Sequence, residues 1–167
     1  MTISFMRIDD RIIHGQIVTR WAMENPCDGI LAVNDKAATN PVLKTALKSA
    51  SSKKTLIYTV DEFLSRAEDA IASSKNYFLI TKDSETMFKI LSNLDSDKLP
   101  KIINVGPQSA RANEKMYNIN RNADLSKEEI LQFDELFKLG YEVDFRLVPD
   151  SNNVLWSKSR SKILESL

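Results

Sequence analysis

The residues of this chain that best suit group-transfer chemistry lie near its start, around its one histidine, His14. Four charged residues precede it: Arg7, Asp9, Asp10 and Arg11. An imidazole can be both nucleophile and leaving group, and a guanidinium fork matches the oxygens of a phosphoryl group. The spacing therefore favours a phosphoryl relay at His14, with a packed structural histidine as the alternative.

The charged neighbours of His14 have more than one interpretation. Arg11 lies three residues before His14, so a tight turn places both side chains on one side, and we expect Arg11 to clamp phosphoryl oxygens rather than to be a solvated arginine. Arg7 fits a second clamp or a structural salt bridge equally well. Of Asp9 and Asp10, we expect one to hold the proton of the second ring nitrogen and the other to cap the following helix.

Strand-like and helix-like segments alternate along the chain. The predicted strands are 3–8, 29–33, 55–60, 77–80, 101–105 and 141–148, with a short edge strand at 115–119. The predicted helices are 13–22, 41–50, a helix capped by Asp61, 85–94, 127–139 and 154–167. Two helix starts carry clear signals, Asn40 before Pro41 and a capping box opened by Ser126, and Gly140 ends the latter helix.

This alternation implies right-handed crossovers between parallel strands. We therefore predict an α/β fold in a single domain over residues 1–167. It comprises a mostly parallel twisted sheet of about six or seven strands, helices on both faces, and an antiparallel edge strand. The strand at 141–148 alternates apolar and polar residues, which suits the edge of the sheet.

Polar residues follow four of these strands, where ligands of such sheets bind. The loop of His14 follows the first strand, Asn34 and Asp35 the second, Thr81 and Lys82 the fourth, and Gly106 the fifth. Because parallel strands end at the same edge, we expect these groups to line one rim.

Each rim residue has a functional and a plain interpretation. Asn34 and Asp35 either orient the loop of His14 or only cap and turn the chain. Thr81 and Lys82 either offer a hydroxyl and a cation to phosphate or only start a surface helix. Gly15 either lets the backbone approach the phosphoryl group or is an ordinary turn glycine.

Composition excludes several classes of function. Lys plus Arg and Asp plus Glu are equal at 23 each, so we expect no nucleic-acid partner. No apolar run is long enough to span a bilayer, and the start does not resemble a signal peptide. The lone Cys27 excludes an internal disulfide, fits a reducing cytoplasm, and with one histidine cannot form an ordinary zinc site. We expect no metal and no cofactor.

Residues 7–16, followed by Trp21 on the next helix, resemble the phosphorylation-site loop of the IIB component of mannose-type sugar phosphotransferase systems, the mannose, fructose, sorbose and N-acetylgalactosamine group. Weaker matches follow in the right order over nearly the whole chain, at 33–35, 103–106 and 146–149.

The resemblance implies that His14 carries the phosphoryl group on its δ nitrogen and that Arg11 and Arg146 bind phosphate. We expect Gly106, at the same rim, to contact the phosphate as well. It also implies a cytoplasmic protein at the inner face of the membrane, which accepts phosphate from a IIA phosphohistidine protein and gives it to a sugar on membrane IIC and IID subunits. A homodimer is compatible with the family. Pro107 replaces a glycine usual in the family, so any phosphate contact through that amide is lost.

Two other functions remain open at this point. A phosphorylation-dependent regulatory or interaction module would use the same His14 without phosphorylating a sugar. A sugar-phosphate isomerase or hydrolase would need a second acid or base in the rim, and the side chains of the adjacent Asp9 and Asp10 diverge. The sequence does not identify the sugar.

Overall fold

The computed structural model describes residues 2–167, with Ser96 described by its backbone alone. The described residues form a seven-stranded sheet and a separate two-stranded ribbon. The sheet contains Ile3–Ile8 (β1), Gly29–Val33 (β2), Lys54–Tyr58 (β3), Tyr77–Thr81 (β4), Ile102–Val105 (β5), Glu142–Phe145 (β8) and Val154–Leu155 (β9). The ribbon contains Met116–Asn120 (β6) and Ala123–Ser126 (β7).

The strand order is β3-β2-β4-β1-β5-β8-β9, and every neighbouring pair is parallel except β8 and β9. The predicted α/β class, with its parallel sheet and antiparallel edge, is confirmed. The position of the edge was predicted wrongly, because β8 is a parallel inner strand and the two-residue β9 takes the antiparallel position. The predicted edge strand at 115–119 pairs instead with β7.

The described helices are Gly15–Ala22 (α1), Asp35–Thr39 (α2), Pro41–Ser49 (α3), Val60–Ala72 (α4), Ser84–Leu91 (α5), Lys127–Lys138 (α6) and Trp156–Glu165 (α7), with a 3₁₀ turn at Ser96–Lys98. The predicted caps Asn40 and Ser126 are confirmed by side-chain bonds to the third helical N–H. The cap of α4 is Thr59, not Asp61. None of the described helices has both the length and the apolar character of a bilayer span.

Helices cover both faces of the sheet and enclose two apolar cores. On one face, Trp21 of α1 stacks on Phe5 of β1 with ring centroids 4.8 Å apart. On the other face, Trp156 of α7 packs near Phe133 and Phe145. These contacts fix α1 against β1, so the loop between them is held at the carboxyl edge of the sheet.

One buried ion-pair cluster fastens α7 to α6. The carboxylate of Asp134, which is almost fully buried, accepts bonds from Trp156 Nε1 (3.1 Å) and Arg160 Nη2 (3.0 Å) and pairs with Lys138 Nζ (3.2 Å). The bond from the Arg160 guanidinium is the main reason why the pKa of Asp134 falls to about 2.

The substitution Asp134→Asn is expected to lower the free energy of unfolding by about 2 kcal/mol at neutral pH. Because the folded pKa of Asp134 lies below its unfolded value, this stabilisation is present above about pH 4 and is lost as the pH falls towards 2. Urea unfolding of both proteins across this range should give free energies that converge. Glu135→Gln, which removes an exposed pair with Lys138, is the control and should change stability by less than about 0.5 kcal/mol.

Candidate active site

His14 lies at the end of the loop of residues 9–14, here the His14 loop, which joins β1 to α1. It is the N-cap residue of α1, with an extended backbone (φ −124°, ψ 108°), and its carbonyl accepts the N–H of Val18 at 3.0 Å. Its half-buried imidazole makes no capping bond to α1. His14 therefore directly precedes the first N–H groups of a helix, which have no acceptor within the helix and favour an anion.

The δ nitrogen of His14 is buried, and no group among the described residues forms a hydrogen bond with it. The predicted bond from the second ring nitrogen to Asp9 or Asp10 is also absent among the described residues, because these carboxylates bond to Arg7, Arg11 and Ser109 instead. A phosphorus atom can approach only an uncovered nitrogen, so phosphorylation at the δ position requires the ring to turn about its side-chain torsions.

Asp9 holds the backbone of the His14 loop rather than the imidazole. Its side chain is 1% exposed, and Oδ2 accepts bonds from Arg7 Nε (3.2 Å) and Nη2 (2.8 Å). Its Oδ1 accepts the backbone N–H of Arg11 at 3.0 Å. Aspartate side chains often accept the backbone N–H of the residue two positions later in the chain, which stabilises a turn, and Asp9 does this with Arg11.

Asp10 ties the His14 loop to the segment that follows β5. Its Oδ2 accepts bonds from the N–H (3.0 Å) and the hydroxyl of Ser109, and its own N–H donates to the carbonyl of Pro107 at 3.1 Å. Neither aspartate caps α1, so the expectation that one would do so is wrong. Pro107 contributes through its carbonyl, for which proline is as suitable as glycine.

Arg7 forms a structural salt bridge, and its side chain is not free to clamp a phosphoryl group. Its side chain is 2% exposed and bonds to Asp9, to Asn104 Oδ1 on β5, and to the carbonyl of Leu147 at 3.4 Å. Burial lowers the pKa of Arg7, and the charge of Asp9 partly offsets this. The pair neutralises Asp9 inside the protein and joins three segments of the rim.

Ile12, which the sequence did not single out, adopts a left-handed backbone conformation (φ 60°). The N–H of Ile13 donates to the carbonyl of Arg11 at 2.7 Å across it, which makes a three-residue turn. Such a conformation is strained for a β-branched residue and persists only where the surroundings impose it. Here the buried side chains of Ile12 and Ile13 and the bonds to Asp9 hold the turn. No sequence signal indicates this, because isoleucine normally argues against such a turn.

Arg11 is the most available cation of the loop. Its side chain is 48% exposed, and its charged contact is a distant one, Nε to Asp9 Oδ1 at 3.8 Å. Because Arg7 already neutralises Asp9, most of the charge of Arg11 is free to meet an incoming anion. The sequence-based expectation of an accessible arginine three residues before His14 agrees with this placement.

Gly106 supports the loop by making room, and its amide is not free for phosphate. Its N–H donates to the carbonyl of Ile8 at 2.8 Å. A β-carbon at this position would overlap with the Arg7 guanidinium and lie 2.9 Å from Asp9 Oδ2. The expected phosphate contact of Gly106 is therefore corrected to a packing role.

We expect Gly106→Ala to lower the free energy of unfolding by about 2–3 kcal/mol, because a methyl group must displace a buried ion pair. Pro107→Ala is the matched control, since it keeps the carbonyl that binds Asp10 and should cost about 1 kcal/mol or less. Chemical denaturation of the two variants compares them directly. Equal stability of the two variants would contradict the packing role.

Gly15 also permits a close approach, but to another segment of the protein backbone and not to a phosphoryl group. A β-carbon there would overlap with the backbone carbonyl of Ala50, just after α3. As the first residue of α1, Gly15 also leaves its N–H without an acceptor within the helix. The close approach to Ala50 places the end of α3 directly beside the start of α1.

The other predicted rim residues serve local structure. Asn34 caps α2 by accepting the N–H of Ala37 at 2.9 Å, and Asp35 accepts the N–H of Val60 at 2.8 Å. The plain interpretation of both is thus the correct one, and neither bonds to the His14 loop. Thr81 is buried and donates its hydroxyl to the carbonyl of Asp83, so it does not face a phosphate.

Lys82 is exposed at the carboxyl end of β4, the strand whose Thr81 carbonyl accepts the N–H of Asp9 at 3.0 Å. Its side chain forms no ion pair within the part of the chain that the structure describes. Of the two residues predicted together, only the lysine is therefore free to meet an anion.

Arg146 is engaged beside α1 rather than over His14. Its Nη2 pairs with Asp144 at 2.6 Å, its Nη1 donates to the carbonyl of Pro149 at 3.4 Å, and its guanidinium lies 6.0 Å from the ring centre of Trp21. Within residues 2–167, no hydrogen bond or ion pair joins Arg146 to the His14 loop. A phosphate contact from Arg146 would require it to leave Asp144.

Residues 3–164 match the family model described as the PTS system sorbose subfamily IIB component. The chain is 28% identical over 156 residues to the sorbose-specific EIIB component of Lacticaseibacillus casei, with 89% of this chain and 88% of that protein covered. It is 41% identical over 61 residues to the mannose-specific EIIAB component of Escherichia coli strain K12, which covers 36% of this chain and 19% of that protein.

A solved structure, the IIBSor domain of the sorbose permease from Klebsiella pneumoniae, superposes with a TM-score of 0.84. The alignment covers 100% of this chain and 99% of that chain at 24% identity. At this identity the likeness concerns the fold alone, and it agrees with the parallel sheet and its antiparallel edge.

Proposed function

The chain belongs to the sorbose subfamily of phosphotransferase-system IIB components, which act in sugar transport, and on this basis we propose that His14 is the residue that carries the phosphoryl group. Residues 1–167 would act as one IIB-type domain. The donor is a IIA phosphohistidine protein, and the acceptor is a sugar held by membrane IIC and IID subunits.

The observation that carries this proposal is the placement of His14. The chain's one imidazole lies at the N-terminus of α1, makes no capping bond, and is preceded by an exposed arginine in the same loop. A helix start and a guanidinium both stabilise a phosphoryl group, and a histidine packed only for stability would need neither.

The chemistry is an in-line transfer in two steps. The unprotonated δ nitrogen of His14, once the ring has turned outward, attacks phosphorus, and the bond to the donor histidine nitrogen breaks as the new P–N bond forms. A sugar hydroxyl oxygen then attacks the same phosphorus and the P–N bond of His14 breaks. The hydroxyl proton passes, directly or through solvent, to the released imidazole. Since the P–N bond has high transfer potential, the protein supplies mainly position and charge.

Arg11 supplies the charge. Its planar fork can bond to two phosphoryl oxygens at once, and the N–H groups at the start of α1 can bond to a third. Asp9 fixes the Arg11 backbone, while Arg7 keeps Asp9 neutralised, so that Asp9 competes only weakly for the Arg11 side chain. The exposed Lys82 is a second, more mobile cation at the rim. Arg146 would bind phosphate only after release from Asp144.

The name of the Escherichia coli relative joins IIA and IIB parts in one protein, which supports a IIA protein as donor here. A protein that meets a donor and then a membrane transporter works at the cytoplasmic face of the membrane, and we propose that location for this chain.

Reconstitution tests the proposal. Phosphoenolpyruvate, the two general phosphotransferase proteins, a IIA protein and membranes with IIC and IID should yield sugar phosphate only when this chain is added. Labelling of the chain without sugar phosphate, across the sugars of the family, would instead identify a regulatory module.

A further inference from the structure

A lysine-rich surface, which we call the α3 basic surface, covers α2, α3 and the start of β3. It consists of Lys36, Lys44, Lys48, Lys53 and Lys54. Between positions 29 and 60 the one acidic residue is Asp35, so five lysines against one aspartate give this stretch a net charge of +4, whereas the whole chain has a net charge of zero.

The charge of this surface is not compensated within the protein. Some lysines elsewhere pair with acids, as Lys89 does with Glu85 at 2.6 Å, but in residues 2–167 none of the five lysines forms an ion pair. Lys44 and Lys53 donate only to backbone carbonyls, at 3.5 Å and 2.8 Å. Because Lys44 and Lys48 are one turn apart on α3, they lie on the same flank of the helix.

The composition of the surface suits a bilayer better than a protein partner. The centres of protein interfaces are enriched in Trp, Tyr and Arg and depleted in Lys. Residues 36–54 contain no Trp, Tyr or Arg. Clustered lysines attract anionic lipid headgroups without a defined partner geometry. Val42, beside Pro41 at the start of α3, is 80% exposed and gives the surface an apolar tip.

This surface adjoins the active site. The close approach between Gly15 and the carbonyl of Ala50 sets the end of α3, where Lys48 lies, against the first residue of α1, next to His14. A membrane held by the α3 basic surface would therefore lie beside the phosphoryl-carrying edge.

We propose that the α3 basic surface binds anionic phospholipid headgroups directly and so places the His14 edge beside membrane-embedded partners. The lipid contact itself needs no phosphoryl transfer. The advantage of placing His14 near the membrane, however, rests on the function proposed above. It is distinct from any contact with the IIC and IID subunits.

Sedimentation of the full chain with lipid vesicles tests this proposal. We expect binding to phosphatidylcholine vesicles that contain about one third phosphatidylglycerol, and none to pure phosphatidylcholine. Binding should weaken as salt rises, because the screening length falls from about 10 Å at 0.1 M to about 3 Å at 1 M.

The double variant Lys44→Gln/Lys48→Gln should bind the anionic vesicles about 25-fold more weakly, since each lysine near the surface contributes about fivefold. Lys158→Gln/Lys162→Gln is the matched control: it removes two exposed lysines with the same spacing, but from α7 on the other face of the sheet, and should bind as the wild type does.

Three results of the vesicle assay would overturn the proposal: no binding to the anionic vesicles, equal binding to neutral ones, or equal losses in both double variants. If the α3 variant accepts phosphate from a IIA protein more slowly yet binds vesicles normally, the surface docks a protein and the lipid proposal fails. Labelling of His14 should otherwise be unchanged in the α3 variant, so failure of lipid binding leaves the relay proposal intact.

Discussion

The substitution His14→Ala is expected to abolish phosphoryl acceptance while the protein stays folded. No other histidine exists in the chain to take over the relay. The imidazole makes no capping bond to α1 and no hydrogen bond through its δ nitrogen within the described residues, so its removal should cost less than about 1 kcal/mol of stability.

Transfer of radiolabel from phosphoenolpyruvate through a IIA protein measures this effect, and thermal unfolding checks the fold. Gln16→Ala, at the next exposed position of α1, is the control and should be labelled like the wild type. Stoichiometric labelling of His14→Ala would exclude the relay.

The substitution Arg11→Lys is expected to slow phosphoryl acceptance by about 100-fold, because lysine keeps the charge but loses the fork that binds two oxygens at once. Stability should hardly change, since the Arg11 side chain is about half exposed and its backbone N–H, which binds Asp9, is retained. The expected loss therefore concerns the rate and not the amount of folded protein.

Rapid-quench kinetics with excess phosphorylated donor measures the rate of the first transfer. Arg66→Lys is the control, because Arg66 is an exposed arginine on α4 that stacks 5.8 Å from the ring centre of Tyr58, away from the His14 loop. A wild-type rate for Arg11→Lys would show that Arg11 does not bind the transferred group.

The fold was predictable where periodicity and capping signals extend over several residues. The sequence placed β1 and β2 at their observed bounds and identified the caps Asn40 and Ser126. It missed α2, β7 and β9, because five, four and two residues are too short to show a period. The capping box of Thr59 and Glu62 was visible in the sequence, but Asp61 was preferred for its type alone.

The exposure of Arg11 and the position of His14 at the start of α1 agree with the sequence-based expectation, and their roles stay a prediction, whereas the contacts around them were predictable to a much smaller extent. Asp9 and Asp10 were expected to hold the ring and to cap α1, and Asn34 and Thr81 were given both a functional and a plain interpretation, but each bonds to other groups of the protein. At strand ends, unpaired backbone groups take up nearby polar side chains first, and sequence spacing does not reveal which ones.

The buried pair of Arg7 and Asp9 was hidden for a related reason. It depends on contacts with Asn104 and Leu147, which are far apart in sequence and meet only once β5 and β8 lie beside β1. The need for glycine at position 106 was hidden for the same reason. A β-carbon there overlaps with the Arg7 guanidinium only once the pair of Arg7 and Asp9 lies beside it.

The most direct test of the account is to locate the phosphate on the wild-type protein after transfer from a phosphorylated IIA protein. Trypsin cleaves after Arg11 and Arg20, so residues 12–20 form one peptide that contains the single histidine. We predict one phosphate per chain, on this peptide, lost in acid and stable in base, as expected of a P–N bond. An acid-stable phosphate, or one on any other peptide, would contradict the account.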